Sequence, residues 1–282
     1  MRVEVPLRWG DLDAQGHVNN ARFIDYVQDA RADFLYRLHI GDLIQEGIAV
    51  VSNHIEYRSP VYFSQQPLEV DVTVAAVGEE SVTLAYQLYQ VDREVAVART
   101  TLRWYDVSTR TEREFPERVK EVFASLLEPA DNLREIEWVD MDEHAKVSTM
   151  RVRWSDLDAY GHVNNAMIFD YIQEGRITFT AAPLRGMSEV DPDPDYLWFL
   201  VRQDVWYLHP VVFRMEPYRV RTGIARMGRT SVTFSSQVDD PTTGTVCARA
   251  AAVAVFADSK GKPQPLAEDL RQDLSIFRLG SW

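Results

Sequence analysis

Two carboxylates, an imidazole and two asparagines crowd into Asp11-Leu12-Asp13-Ala14-Gln15-Gly16-His17-Val18-Asn19-Asn20, and the same set returns 145 positions later as Asp156-Leu157-Asp158-Ala159-Tyr160-Gly161-His162-Val163-Asn164-Asn165. A carboxylate such as Asp13 or Asp158 can attack a carbonyl carbon or activate water, if donors are at hand for the charge that develops on oxygen. A helix start offers such donors, because its first N–H groups have no partner within the helix and its dipole is positive there. That pairing suffices to hydrolyse an already activated acyl group, and a thioester fits the limit.

The remaining polar residues of the motif carry two readings each. His17 and His162 are candidates for acid–base work, since imidazole titrates near neutrality, or for ordering the loop by hydrogen bonding. Asn20 and Asn165 either cap the helix or contact the substrate, while Asn19 and Asn164 read as loop or cap residues. Asp11 and Asp156 read as turn carboxylates that accept backbone N–H groups. An Asp-x-Asp with a nearby histidine is also a metal-ligand pattern, but a hard cation needs more oxygen ligands than this spacing guarantees. No metal or cofactor is expected. The chain has no Gly-x-Ser-x-Gly elbow, no paired cysteines, no His-Glu-x-x-His and no Gly-x-x-x-x-Gly-Lys.

The elements that must position these residues follow from periodicity. Val3, Val5, Leu7 and Trp9 alternate with polar neighbours, which predicts a strand ending at the motif. From about Asn20 the apolar residues Phe23, Ile24, Val27, Ala30, Phe34, Leu35 and Leu38 recur at three and four, which predicts a long helix with one apolar face, capped by Asn19 or Asn20. Four or five antiparallel strands follow, through Ala49–Tyr57, Leu68–Val77, Val82–Tyr89 and Val95–Tyr105, and a short amphipathic helix with Val119, Val122, Phe123 and Leu126 closes the half. Such an order is α+β.

The second half repeats it. The offset is 145 through motif and helix (Tyr26 and Tyr171, Arg31 and Arg176, Phe34 and Phe179) and becomes 150 in the strands (Tyr57 and Tyr207, Pro60 and Pro210, Gly78 and Gly228, Arg99 and Arg249). The five extra residues fall where the second half carries Ser188-Glu189-Val190-Asp191-Pro192-Asp193-Pro194-Asp195. The repeat predicts domains at 1–127 and 145–282 joined by an acidic, aperiodic linker at 128–144, with the two copies paired as a fused homodimer. Arg31 and Arg176, mid-helix, read as structural partners of an acidic neighbour.

Composition narrows the partners. The 282 residues carry a formal charge of −13, which disfavours nucleic acid and anionic membrane. The N-terminus has no apolar signal core, no run approaches the ~18 apolar residues of a membrane span, and the only cysteine, Cys247, lies in an apolar run. A cytoplasmic location is expected.

Strand, Gly-Asp-x-Asp-x-x-Gly-His-Val-Asn-Asn, and a long helix with Asp29-Ala30-Arg31 at its middle resemble the hotdog-fold acyl-CoA thioesterases of the 4-hydroxybenzoyl-CoA thioesterase type. The resemblance covers about residues 2–116 and 147–266. It implies two tandem hotdog domains, each a long helix wrapped by an antiparallel sheet, forming an intramolecular pseudo-dimer with sites at the pair interface. It implies an acyl-CoA substrate, with the second aspartate of each pair, Asp13 and Asp158, as nucleophile or general base. It also puts Asn20 and Asn165 where the family places a polar side chain near the acyl group. The halves depart from one another at Gly10 and Ser155, Gln15 and Tyr160, Ala30 and Gly175, and His54 and Asp204. The rival readings are an acyl-carrier-protein thioesterase, which an acidic surface disfavours, and a non-catalytic acyl-CoA sensor. Further association of the chain into a homo-oligomer remains open.

Overall fold

Pro6 ends the first strand. It has no N–H with which to continue the ladder, so β1 spans only Arg2–Val5, and the alternation that predicts a strand to residue 9 gives way to a 3-10 turn at Trp9–Asp11. Trp9 is 73% exposed there, not packed as a strand residue. The computed structural model describes residues 1–13, 15–106, 111–130, 133–181, 196–258 and 260–280, and the chain divides into two units, Met1–Arg134 and Glu135–Trp282.

In the first unit, α1 (Phe23–Arg37) follows a 3-10 turn at Asn20–Arg22, so the regular helix starts about one turn later than its apolar period suggests. A short α2 (Leu43–Glu46) leads into β2 (Ile48–Tyr57), β3 (Leu68–Val77), β4 (Ser81–Gln90), β5 (Arg93–Asp106), β6 (Thr111–Arg113) and α3 (Glu117–Ser125). The sheet is antiparallel in the order β1-β3-β4-β5-β2, with β6 added along β5. Phe23, Ile24, Val27, Ala30, Phe34 and Leu35 of α1 are buried, as are Val70, Val72 and Val74 on β3 and Val82, Leu84, Tyr86 and Leu88 on β4. The helical period thus meets the two-residue period of the strands across one core, where each large apolar side chain contributes about 1.5–3 kcal/mol.

The second unit repeats the plan with β7 (Lys146–Met150), α4 (Asn165–Ala181), β8 (Tyr196–Tyr207), β9 (Tyr218–Met227), β10 (Ser231–Asp239) and β11 (Val246–Asp258), in the sheet order β7-β9-β10-β11-β8. A terminal α5 (Glu268–Ser275) buries Leu274 and corresponds to α3. Residues 188–195, where the sequence inserts five residues, lie outside the described residues.

On either side of residues 131–132 the expected linker makes contacts with its own unit. Glu128 N–H donates to Val74 O (2.9 Å) in the first unit. In the second unit Val139 N–H donates to Ser235 Oγ (3.0 Å), and the Arg249 guanidinium stacks 4.2 Å over the Trp138 ring. The tandem order, the antiparallel sheets and the long central helices make each unit a hotdog domain of the α+β class.

Candidate active site

In each unit the motif closes into a small loop tied by its own second aspartate. Asp13 N–H donates to His17 O (2.7 Å), and Asp13 Oδ1 accepts from the N–H groups of Gln15 (2.8 Å) and His17 (3.2 Å). The other loop repeats this: Asp158 N–H donates to His162 O (2.7 Å), and Asp158 Oδ1 accepts from Tyr160 (2.8 Å) and His162 (3.1 Å). Gly16 and Gly161 turn the chain at φ +77° and +76°, a left-handed conformation that L side chains resist. One oxygen of each carboxylate is therefore spent on the loop. Oδ2 of each makes no hydrogen bond to the described residues.

The first aspartate holds the loop to the helix. Tyr26 Oη on α1 donates to Asp11 Oδ2 (2.7 Å), and Tyr171 Oη on α4 donates to Asp156 Oδ2 (2.6 Å). Asp156 also accepts Arg153 N–H (2.8 Å). Burial first, and then the facing carboxylate, push both phenols well above the usual tyrosine value. The turn role read for both aspartates is present in Asp156, whereas the Asp11 carboxylate accepts no backbone N–H among the described residues. The main partner of each is a tyrosine 15 residues on, a pair legible only as Tyr26 and Tyr171 at the repeat offset.

The asparagines divide their work. Asn19 Oδ1 accepts Ala21 N–H (2.9 Å) and Asn164 Oδ1 accepts Ala166 N–H (3.0 Å), so Asn19 and Asn164 are the caps. The backbone carbonyls of Asn20 and Asn165 accept Tyr57 Oη (2.9 Å) and Tyr207 Oη (3.0 Å), which latch the helix starts to the ends of β2 and β8. His17 stands edge-on to the Tyr62 ring, centroids 4.8 Å apart, and its flanking backbone is anchored by Val18 N–H on Val61 O (2.8 Å). His162 keeps the matching anchor, Val163 N–H on Val211 O (2.8 Å), but faces Val212 where the first unit has Tyr62. Asp13, His17 and Asn20 are all half-buried, as are Asp158, His162 and Asn165.

Three further features surround the loops. Asp29 on α1 has its carboxyl pushed up, chiefly by burial and also by Asp11, against the lowering effect of Arg8, whose guanidinium is 3.8 Å away. The acidic neighbour expected of Arg31 is not found among the described residues, and Arg176 Nη1 donates to the Gln203 amide oxygen (3.0 Å). The helix points both arginines at sheet positions occupied by amides and hydroxyls, which sequence spacing does not reveal. Asp142, Glu143 and His144 gather donor atoms within 4.8 Å, but Asp142 is already engaged by the backbone N–H groups of His144 (2.9 Å) and Gly280 (2.8 Å), which fits a clamp between these two segments.

Each hotdog domain thus carries a half-buried carboxylate on a turn next to a helix start. The chain belongs to the thioesterase-like superfamily, whose model matches residues 7–123 and 152–274, once in each unit, and its class is that of thioester hydrolases. Among curated proteins it is similar to a 1,4-dihydroxy-2-naphthoyl-CoA hydrolase of Synechococcus elongatus, 27% identical over 124 residues that make up 41% of this chain and 88% of that protein. Its fold is similar to a structure assigned as an oleoyl thioesterase from Lactobacillus plantarum (TM-score 0.71, 15% identity, 90% of this chain and 94% of the other). It is also similar to the 12:0-ACP thioesterase from Umbellularia californica (TM-score 0.69, 14% identity, 92% and 97%). No helix among the described residues is long and apolar enough to cross a membrane.

Proposed function

We propose that the protein hydrolyses an acyl-CoA thioester to a free acid and coenzyme A, with Asp13 and Asp158 each acting as nucleophile or general base in its own unit. The observation that carries this reading is the shared geometry of the two carboxylates. Oδ1 is fixed by two backbone N–H groups, so Oδ2 has a set direction and no hydrogen bond to the described residues. A carboxylate fixed in this way needs little reorganisation before it attacks a thioester carbon or takes a proton from water.

Backbone N–H groups at the helix start polarise the thioester carbonyl as charge moves onto oxygen, since the backbone N–H groups of Gln15, His17, Tyr160 and His162 are donated to the aspartates. His17 and His162, whose N–H groups bond to the aspartates, position those carboxylates through the loop. Asn20 and Asn165 adjoin the same helix starts, and their side chains are the candidates for touching the acyl group. The naphthoyl-CoA hydrolase named above acts on a coenzyme A thioester, which favours that carrier. The acyl-carrier-protein alternative has support only from fold-level likeness.

The test is thiol release from a panel of acyl-CoAs by the wild type, Asp13→Asn, Asp158→Asn and the double variant. Partial loss in each single variant and loss of about 100-fold or more in the double is the expected pattern. Undiminished turnover by the double variant rules out the aspartate mechanism, and acyl-CoA binding without turnover by the wild type replaces the enzyme with a sensor.

A further inference from the structure

Arg31 is a buried cation with no carboxylate partner among the described residues. It lies mid-way along α1, is 6% exposed, and its Nη1 is buried without a hydrogen bond. Tyr86 is fully buried on β4, and its hydroxyl lies beside the Arg31 and Thr100 side chains without a hydrogen bond of good geometry. The Arg31 charge bears on that hydroxyl, opposing the upward push that burial gives the phenol. On the same face of the sheet Asn53 of β2 and Thr100 of β5 stand opposite one another, both fully buried, with Thr100 Oγ1 donating to Asn53 Oδ1 (2.7 Å). Tyr86 pairs with Ala98, two residues from Thr100, which puts the phenol on that face as well.

Burial of a guanidinium is unfavourable unless its charge is paired and its N–H groups are bonded. The second unit resolves the matter internally. Arg176 Nη1 donates to Gln203 Oε1 (3.0 Å), and Gln203 holds the position of Asn53 with one methylene more. The position of Tyr86 is taken there by Ser236, whose hydroxyl bonds Thr222 (3.1 Å). The longer amide reaches the guanidinium, whereas the shorter Asn53 is turned onto Thr100, so among the described residues the first unit's guanidinium has no amide or carboxylate against it and only the Tyr86 phenol beside it.

We propose that Arg31 and Tyr86 bind a carboxylate carried at the far end of the acyl group, so that the N-terminal unit selects ω-carboxyacyl thioesters over plain acyl thioesters; this rests on the thioesterase reading above. A guanidinium fork matches a carboxylate in two-point contact, and the phenol adds a third donor. Arg31 is about 12 Å along the helix axis from Phe23 at 1.5 Å per residue, the span that a medium-length acyl group would have to cover.

The experiment compares kcat/KM for succinyl-, adipoyl- and suberoyl-CoA with that for butyryl-, hexanoyl- and octanoyl-CoA, in the wild type, Arg31→Met, Tyr86→Phe and Asn53→Gln. The last change copies the second unit and should close the guanidinium with an internal amide while keeping its charge. Calorimetric binding of free adipate is measured on the same four proteins, with circular dichroism to verify folding. The expected result is a wild-type preference for one or more carboxylated substrates that falls about 30-fold or more in Arg31→Met and falls in the same direction in Asn53→Gln and Tyr86→Phe. Equal carboxylated-to-plain ratios in all folded variants, with adipate binding unchanged, overturn the proposal. If the wild type hydrolyses no thioester, the enzyme reading fails. Adipate binding then decides this site alone: binding lost in Asn53→Gln sustains it, and absence of binding by the wild type overturns it.

Discussion

At the scale of single residues, the tyrosine–aspartate pairs are the most consequential contacts that the motif itself does not announce. Tyr26→Phe or Tyr171→Phe removes a hydrogen bond to a carboxylate and leaves Asp11 or the buried Asp156 short of a partner. Each change should cost about 1–3 kcal/mol of stability, read as a lower urea midpoint at neutral pH. The sign of the alkaline response follows from the same pairs. The folded-state phenols titrate above their unfolded value, so their contribution is fully present below about pH 10. Above it the unfolded chain loses these protons while the folded protein keeps them, and stability falls as pH rises. Both variants should show a shallower loss of stability through that range than the wild type. A slope identical to wild type in both would remove the tyrosines from the account.

Among the elements, the loop and the helix make separable demands. Gly16 and Gly161 have open space where a Cβ would stand, so Gly16→Ala and Gly161→Ala test backbone strain alone. About 1–2 kcal/mol is expected, with thiol release reduced because the strain falls on the turn that aims Asp13 or Asp158. Gly175 poses a different problem, since a Cβ there would lie 2.7 Å from Val220 Cγ1. Gly175→Ala should destabilise by about 1–3 kcal/mol through overpacking, although alanine is the better helix former. Its counterpart Ala30 is fully buried, so the first unit packs helix against sheet with that methyl in place. Thermal unfolding of the variant checks this, and a stabilised Gly175→Ala would show that β9 yields.

For the whole molecule, charge and duplication set the expectations. An acyl-CoA is a polyanion and the chain carries −13, so long-range repulsion should slow encounter. On the acyl-CoA reading, kcat/KM should rise with ionic strength in dilute buffer as that repulsion is screened; a fall would indicate that arginines near the motif dominate the local field. Each unit carries a complete loop of its own, and the residual rates of Asp13→Asn and Asp158→Asn should therefore sum to about the wild-type rate if the sites work independently. A single variant with no residual rate would assign turnover to one loop.

The sequence by itself determined the duplication, the α+β order, the long central helices and the motif that carries the family resemblance. These are local or periodic properties: apolar residues at three and four select a helix face, alternation selects a strand face, and Gly16 and Asp13 build their turn from neighbours in the chain. What only the tertiary structure decided depends on residues brought together from distant strands. Neither the bond from Tyr26 to Asp11 nor the latch from Tyr57 to Asn20 follows from spacing. The strand read through Trp9 failed because alternation persists past Pro6, where the ladder loses its donor. Arg31 and Arg176 occupy the same position in the repeat, yet one meets an amide and the other meets none. The difference lies in one methylene, Asn53 against Gln203, on a strand that only folding brings opposite the helix.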